Sequence, residues 1–276
     1  MAIHVRSQAP ASHAPPVIAL EQVTKVFAAR GKRETAALEA TNLVIEPGEF
    51  VSLLGPSGCG KSTLLRLVAS LINPTSGSVL VNGKDAAQAR RDRDYSMVFQ
   101  QPGLLEWRSV EGNVELPLQV LGAGKKGRRQ RAGEMLALVG LSDFAQHYPS
   151  QLSGGMQQRV AIARALSTQP KLLLMDEPLG ALDEMNREYL QGELLRIWDA
   201  SKTTVLFVTH SVSEAVFLST RVCVMSARPG KIEAEIDIDL PYPRPADLRS
   251  DAHYFSKVAE ARAALHAAGA DKPVNE

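Results

Sequence analysis

The stretch GPSGCGKST at residues 55–63 constrains the fold of this chain more than any other feature. It fits the pattern G-x-x-x-x-G-K-[ST] and lies between an apolar run, FVSLL, and a segment with a helical pattern, STLLRLVAS. In that context glycine lets successive backbone N–H groups turn toward a phosphate, and the helix N-terminus adds partial positive charge. The sequence therefore predicts an α/β domain that binds a phosphate group at this loop.

Other short apolar runs predict the sheet that carries the loop. Residues 171–175, 203–209 and 222–225 are nearly continuous apolar runs separated by helical patterns, which is typical of parallel strands covered on both faces. Residues 17–27 and 36–50 are rich in β-branched residues and partly alternate. These two segments predict a pair of antiparallel strands.

The rest of the chain divides into a helical insert and two ends. Residues 103–165 interrupt the α/β pattern and predict a helical subdomain inside a main domain that spans residues 17–235. The Ala/Pro/Ser/His mixture of residues 1–16 predicts a disordered tail. An edge strand is predicted just after residue 230, and residues 236–276 form a C-terminal extension with a Pro-rich connector and a final helix over 253–269.

A second chemical signal is the acidic pair at the end of the run KLLLMDEP. A buried strand that runs into two carboxylates needs compensation, because burying an unpaired carboxylate is costly. Asp176 would hold Mg²⁺ together with the Ser62 hydroxyl, and Glu177 would act as general base on the attacking water. Lys61 would reach the β- and γ-phosphates. The alternative for the acidic pair is a solvated strand end.

Composition limits the class of protein. Lys and Arg number 31 and Asp and Glu 30, a formal net charge of +1, which argues weakly against a nucleic-acid partner. The two cysteines, Cys59 and Cys223, are too few for a disulfide framework and favour a reducing cytosol. No apolar run approaches the roughly 18 residues that a membrane helix needs, so we expect a cytoplasmic chain that reaches a membrane through a partner.

Five motifs together carry a resemblance to a known family. GPSGCGKST, VFQQ, LSGGMQQR, LLLMDEPLGALD and VTHS occur in the order and at the spacing of ABC-transporter ATPase subunits, over about residues 17–230. The resemblance implies a P-loop NTPase (RecA-like) ABC nucleotide-binding domain with an antiparallel β subdomain and a helical subdomain. LSGGMQQRVAIARAL, PGLLEWRSV and SARPGKI are most similar to the nitrate, taurine and alkanesulfonate importer branch.

The resemblance also implies roles for individual residues. Gln100 would contact Mg²⁺ and the region of the attacking water, and His210 would contact the γ-phosphate and position the base. Asp183 would lie in the loop that crosses to a partner subunit. Phe27 would stack on adenine, or would be an ordinary core residue. The implied ATP-binding positions are Phe27, Gly55, Pro56, Ser57, Gly58, Cys59, Gly60, Lys61, Ser62, Thr63, Ser153, Gly154, Gly155, Gln157 and Asp183.

The segment LSGGM is implied to serve the nucleotide of a second copy of the chain. In a head-to-tail homodimer, Ser153 and the N–H groups of Gly154 and Gly155 would cap the γ-phosphate held by the partner's phosphate loop. Two residues depart from the family pattern: Met156 replaces a common Gln, and Glu106 replaces the proline usual in this branch. We expect Met156 not to abolish activity, because the backbone donors stay intact, and we expect Glu106 to tune docking to the membrane partner.

The function implied is that of an ATP-hydrolysing motor subunit. It would dock at the cytoplasmic face of the inner membrane beneath a separate permease. With an external solute-binding protein it would drive import of a small anion such as nitrate, taurine or a sulfonate. Import of a different solute, a non-transport ABC clamp acting on nucleic acid or ribosomes, and a phosphotransferase are the alternatives.

Overall fold

The computed structural model describes residues 15–28, 34–180 and 182–269 of the chain. The strands in these ranges are β1 (Ile18–Phe27), β2 (Thr35–Ile45), β3 (Phe50–Leu54), β4 (Ser76–Val81), β5 (Lys84–Asp85), β6 (Tyr95–Val98), β7 (Leu172–Asp176), β8 (Thr204–Thr209), β9 (Arg221–Met225) and β10 (Ile232–Asp237). The α-helices are α1 (Lys61–Val68), α2 (Ala86–Asp92), α3 (Val110–Val120), α4 (Lys125–Leu138), α5 (Gly154–Leu166), α6 (Glu184–Ser201), α7 (Val212–Leu218) and α8 (Ala252–Ala267).

The larger sheet has six strands in the order β10-β9-β3-β8-β7-β6. Strands β9, β3, β8, β7 and β6 are parallel, and β10 pairs antiparallel with β9 at the edge. This arrangement confirms the predicted parallel sheet and the predicted edge strand. It brings the carboxyl ends of β3, β6, β7 and β8 to one edge, where the predicted site residues follow them.

Both faces of this sheet are covered. Phe50 and Leu54 of β3 pack into one hydrophobic cluster together with residues of the helical insert and the C-terminal helices. Val51 and Leu53 pack into the other cluster, which includes α1 and the antiparallel strands. Because every residue of β3, β7, β8 and β9 is buried, these strands appear in the sequence as continuous apolar runs.

The smaller sheet has the order β2-β1-β4-β5 and is antiparallel. The predicted pairing of residues 17–27 with 36–50 is confirmed, but the second strand ends at Ile45. Pro47 lacks an N–H for a strand ladder and Gly48 has a φ of +78°, so the chain turns before β3 begins. Strands β4 and β5 of this sheet were not predicted.

The helical insert lies between β6 and β7 as predicted. It contains α3, α4 and α5, and its last helix runs one residue past the predicted limit, to Leu166. Packing of Val114, Leu136 and Val160 joins its three helices into the larger hydrophobic cluster. The insert is thus anchored on the same face of the sheet as α6 and α7.

The two ends of the chain differ in how far they can be described. The predicted tail over residues 1–16 lies outside the described residues except for its last two. The predicted final helix corresponds to α8, whereas the predicted domain boundary at residue 235 falls inside β10. No helix in the described ranges is long and apolar enough to cross a membrane.

Candidate active site

The phosphate loop occupies the turn between β3 and α1. Lys61, at the first position of α1, is buried, and its ammonium donates to the carbonyl oxygens of Gly55 at 2.7 Å and Pro56 at 3.0 Å. The lysine therefore folds back over the concave side of the loop, next to the backbone that would surround a phosphate. The predicted strand, loop and helix are all present.

Two neighbours of Lys61 fix the loop against the smaller sheet. Gly60 has a φ of +111°, and a Cβ there would lie 2.8 Å from both the Ala37 carbonyl oxygen and Leu38 Cδ2. Only glycine fits such a conformation in so little space. The Cys59 thiol is buried, which raises its pKa and agrees with the prediction of a small filler rather than a redox group.

The segment after β9 forms the other wall of the loop, and sequence reasoning did not predict this role. The Arg228 guanidinium donates to the Gly58 carbonyl oxygen from Nε at 3.2 Å and from Nη2 at 3.0 Å. Gly230 packs so closely that an added Cβ would lie 2.0 Å from the Cys59 carbonyl oxygen. The motif SARPG, noted above only for its resemblance, was the available signal.

The residues predicted to hold Mg²⁺ meet where β7 approaches the start of α1. The Ser62 hydroxyl donates to Asp176 Oδ1 at 2.7 Å, and the Asp176 side chain is buried at the strand end. A buried carboxylate beside a hydroxyl, with the nearby Gln100 amide, supplies the hard oxygen ligands that Mg²⁺ prefers. The residues present therefore fit the predicted ion.

Glu177, the predicted general base, directly follows β7 at the carboxyl edge of the larger sheet. Its Oε2 atom is 3.4 Å from Gln100 Nε2 and 3.5 Å from His210 Nδ1. Its φ is +44°, an uncommon conformation for glutamate, and its N–H donates to the Val208 carbonyl oxygen of β8 at 3.1 Å. The three residues follow β7, β6 and β8 respectively, so the parallel sheet brings them together.

The segment that carries Gln100 is held by α5. Gln158 donates to the Phe99 carbonyl oxygen at 3.0 Å, and Arg164 donates to the carbonyl oxygens of Pro102 and Gly103 at 2.7 and 2.8 Å. The helix that begins at LSGG is therefore tied directly to the segment beside Glu177. Sequence reasoning did not predict these ties.

The N-terminus of α5 makes its hydrogen bonds within its own part of the chain. Ser153 caps the helix, with its hydroxyl accepting from the Met156 N–H at 3.3 Å, and the Gln157 amide donates to the Pro149 carbonyl oxygen at 2.9 Å. Among the described residues, no hydrogen bond joins Ser153, Gly154, Gly155 or Gln157 to residues 55–63. In the described part of the chain, these predicted ligands therefore share no hydrogen bond with the phosphate loop of the same copy.

The chain is similar to known proteins over most of its length. The sequence profile of the ABC transporter family matches residues 38–180. This chain belongs to the ABC transporter family. It is similar to the taurine import ATP-binding protein of Rhizobium johnstonii, with 47% identity over 223 residues that cover 81% of this chain and 84% of that protein.

Two further comparisons point the same way. The nitrate import ATP-binding protein of a Synechocystis strain is 48% identical over 223 residues, which cover 80% of this ABC ATPase and 82% of the relative. Among solved structures, a dimeric ATP-binding cassette in a post-hydrolysis state bound to ADP and Pi matches with a TM-score of 0.74. That match has 38% sequence identity and covers 81% of this chain and 100% of the other. The chain is an ATP-hydrolysing subunit.

Two further predicted ATP-binding residues, Asp183 and Phe27, lie at the start of α6 and at the end of β1. Asp183 caps α6, and its pKa is lowered because its carboxylate accepts from the Asn186 backbone N–H and side-chain amide. Phe27 ends β1 and is 43% exposed, which excludes the alternative of a core residue. Its stacking on adenine stays a prediction, and the Lys25 ammonium lies 5.1 Å from its ring centroid.

Replacing Arg228 by methionine is expected to weaken ATP binding by the ABC ATPase about two- to tenfold. The change removes the two donors that hold Gly58, where φ is +75°, and leaves the residues around Glu177 in place. The measurement is the KM for ATP alongside kcat, and Arg228→Lys should recover part of the loss. Lys231→Met is the matched control, since Lys231 pairs with Glu233 instead. An unchanged KM in Arg228→Met would show that the contact does not order the loop.

Proposed function

We propose that this ABC ATPase powers import of a small anionic solute, such as nitrate, taurine or another sulfonate, through a separate permease. The relatives that import taurine and nitrate support this class of solute. The observation that carries the catalytic part is the placement of the Glu177 carboxylate between Gln100 and His210, beside the phosphate loop.

Hydrolysis requires a base and a positioned γ-phosphate. The Glu177 carboxylate accepts a proton from the attacking water, while the Gln100 amide and the His210 ring orient that carboxylate and the water. Lys61 neutralises charge on the β- and γ-phosphates, and the N–H groups of the loop bind the same oxygens. Ser62, Asp176 and Gln100 would hold Mg²⁺, which would supply further charge stabilisation at the phosphates.

The signature segment LSGG acts on the nucleotide of a second copy. Ser153 and Gly154 are exposed, and the first N–H groups of a helix have no partners within it. A Cβ added at Gly154 would meet no atom within 4 Å, so packing inside this chain gives no reason for glycine there. Close approach by another molecule would explain why glycine stands at this position. The dimeric state of the solved relative supports a homodimer.

Association with other chains follows from the same function. A permease would receive this subunit at the cytoplasmic face of the inner membrane, and a solute-binding protein would deliver the anion from the other side. Trp107 is 75% exposed in the segment that follows Gln100, and Phe99 next to Gln100 is 44% exposed. These apolar side chains suit contact with a protein partner such as the permease.

Coupled transport provides the test. The chain is purified together with the permease that is encoded next to it, and the complex is reconstituted into liposomes. The cognate binding protein is then added with nitrate, taurine or an alkanesulfonate. We expect ATP turnover and solute uptake to rise together with one of these anions. Phosphate or a neutral amino acid added at the same concentration is the control. Turnover that responds only to nucleic acid or ribosomes would replace the importer with the non-transport alternative.

A further inference from the structure

The C-terminal extension is fastened along the whole of α7, the helix that begins two residues after His210. At its start, the Tyr254 hydroxyl donates to the Ser213 carbonyl oxygen at 3.1 Å. At its end, the buried Arg244 donates to the carbonyl oxygens of Val216 at 3.1 Å and Phe217 at 2.7 Å. The extension therefore does more than pack against the core, because it fixes the helix that follows the catalytic histidine.

A chain of hydrogen bonds continues from the extension to the residues that flank His210. Arg249 Nη2 donates to Gln191 Oε1 at 2.5 Å, and Gln191 Nε2 donates to Glu214 Oε1 at 3.2 Å. The Thr209 hydroxyl then donates to Glu214 Oε2 at 2.5 Å. The chain crosses from the extension to α6, then to α7, and ends on β8.

The last hydrogen bond of the series joins the two residues on either side of His210. The Ser211 N–H donates to Thr209 Oγ1 at 3.0 Å, so the two neighbours of His210 are joined across it. This bond restricts the backbone from which the imidazole projects toward Glu177. A shift of the Thr209 hydroxyl would therefore change the position of the ring.

Arg249 determines which atoms donate and which accept along this series of hydrogen bonds. A guanidinium can only donate, so Arg249 requires the Gln191 oxygen and leaves the Gln191 NH₂ group facing Glu214. The carboxylate then accepts from both Gln191 and Thr209. Gln191, Glu214 and Thr209 are 5%, 6% and 2% exposed, and hydrogen bonds between buried polar groups are electrostatically stronger than the same bonds in water.

We propose that Arg249 is a positioning residue for His210 and acts through Gln191, Glu214 and Thr209. The inference rests on the catalytic role proposed above for His210. Under it, the C-terminal extension keeps the histidine in register with Glu177, and loss of Arg249 slows hydrolysis while ATP still binds. The phosphate loop lies between β3 and α1, which take no part in this series of hydrogen bonds. The affinity of the loop for ATP therefore does not depend on Arg249.

The test uses the full-length chain with Arg249 replaced by methionine, which keeps an apolar stem over the Phe217 ring but donates nothing. In the unchanged chain the guanidinium carbon lies 3.6 Å from that ring centroid. We expect kcat to fall about two- to thirtyfold with an unchanged KM for ATP and an unchanged fraction of folded protein. Arg249→Lys should restore part of the rate, because lysine keeps a donor to Gln191.

A double-substitution cycle separates positioning from general stabilisation. Thr209→Val removes the hydroxyl at the far end of the chain, and its effect on kcat should not add to that of Arg249→Met. Arg262→Met, at an exposed position on α8, is the matched control and should leave kcat unchanged. Full kcat in Arg249→Met, additive effects in the cycle, or an equal loss in Arg262→Met would each overturn the proposal.

His210→Ala, measured in parallel, tells this inference apart from the proposed function. If His210→Ala is inactive while Arg249→Met turns over normally, the histidine keeps its role and only the positioning proposal fails. If His210→Ala hydrolyses ATP at the wild-type rate, the catalytic role fails first, and a lower rate in Arg249→Met could not be assigned to the histidine.

Discussion

Glu177→Gln is expected to lower ATP turnover about 10²- to 10⁴-fold, the range over which a general base contributes. Glutamine has nearly the shape of glutamate but cannot accept the proton of the attacking water. Binding should persist, because Lys61 and Ser62 are unchanged. With Mg-ATP, the variant should accumulate as a nucleotide-bound dimer, detected by size-exclusion chromatography with scattering, together with initial hydrolysis rates.

The control for this substitution is Glu184→Gln, an exposed glutamate in the first turn of α6. It changes the charge of the chain by the same amount and should hydrolyse ATP at the wild-type rate. Normal turnover by Glu177→Gln would show that another group accepts the proton.

Mixing two inactive variants is expected to restore hydrolysis. Lys61→Ala should bind ATP roughly tenfold or more weakly through loss of a charge-assisted contact, and Ser153→Arg should slow turnover roughly a hundredfold or more by obstructing the signature helix. In a mixed dimer, the phosphate loop of the Ser153→Arg chain faces the unaltered Ser153 of the other chain, so one composite site is complete. Heterodimers isolated with two different affinity tags should therefore hydrolyse ATP.

The reciprocal pairing makes this result specific. A chain that carries both substitutions, paired with a wild-type chain, contains no complete site if each site is shared, and should be inactive. If every site belonged to one chain, the outcomes would be reversed: the double variant paired with wild type would be active, and the first mixture would not.

The phosphate loop, the acidic pair and the parallel sheet could be predicted because each leaves a local pattern. Burial on both faces makes a strand such as β3 uniformly apolar, and the loop needs its glycines within a few residues. The β4–β5 hairpin was missed although Asn82 and Gly83, with φ of 51° and 73°, form a two-residue turn that its sequence favours.

The remaining site residues act over separations that no local pattern records. Arg228 follows Gly58 by 170 residues, and Arg249 is 58 residues from Gln191. An arginine in a loop has many possible partners, and only the assembled fold determines that this one contacts the phosphate loop. Similarly, the sequence suggests that Gln158 and Arg164 lie on a helix, but not that they bind the segment of Gln100.

Helix α5 has one more consequence for a dimer. It is a rod about 20 Å long at 1.5 Å per residue, with Ser153 at one tip and Arg164 near the other. If Ser153 contacts the nucleotide bound by the other copy, a displacement of α5 is transmitted through Arg164 to the Gln100 segment of the same chain. Helix α5 would then couple the two ATP sites of the dimer. Binding of ATP at one site would increase the affinity of the other site for ATP.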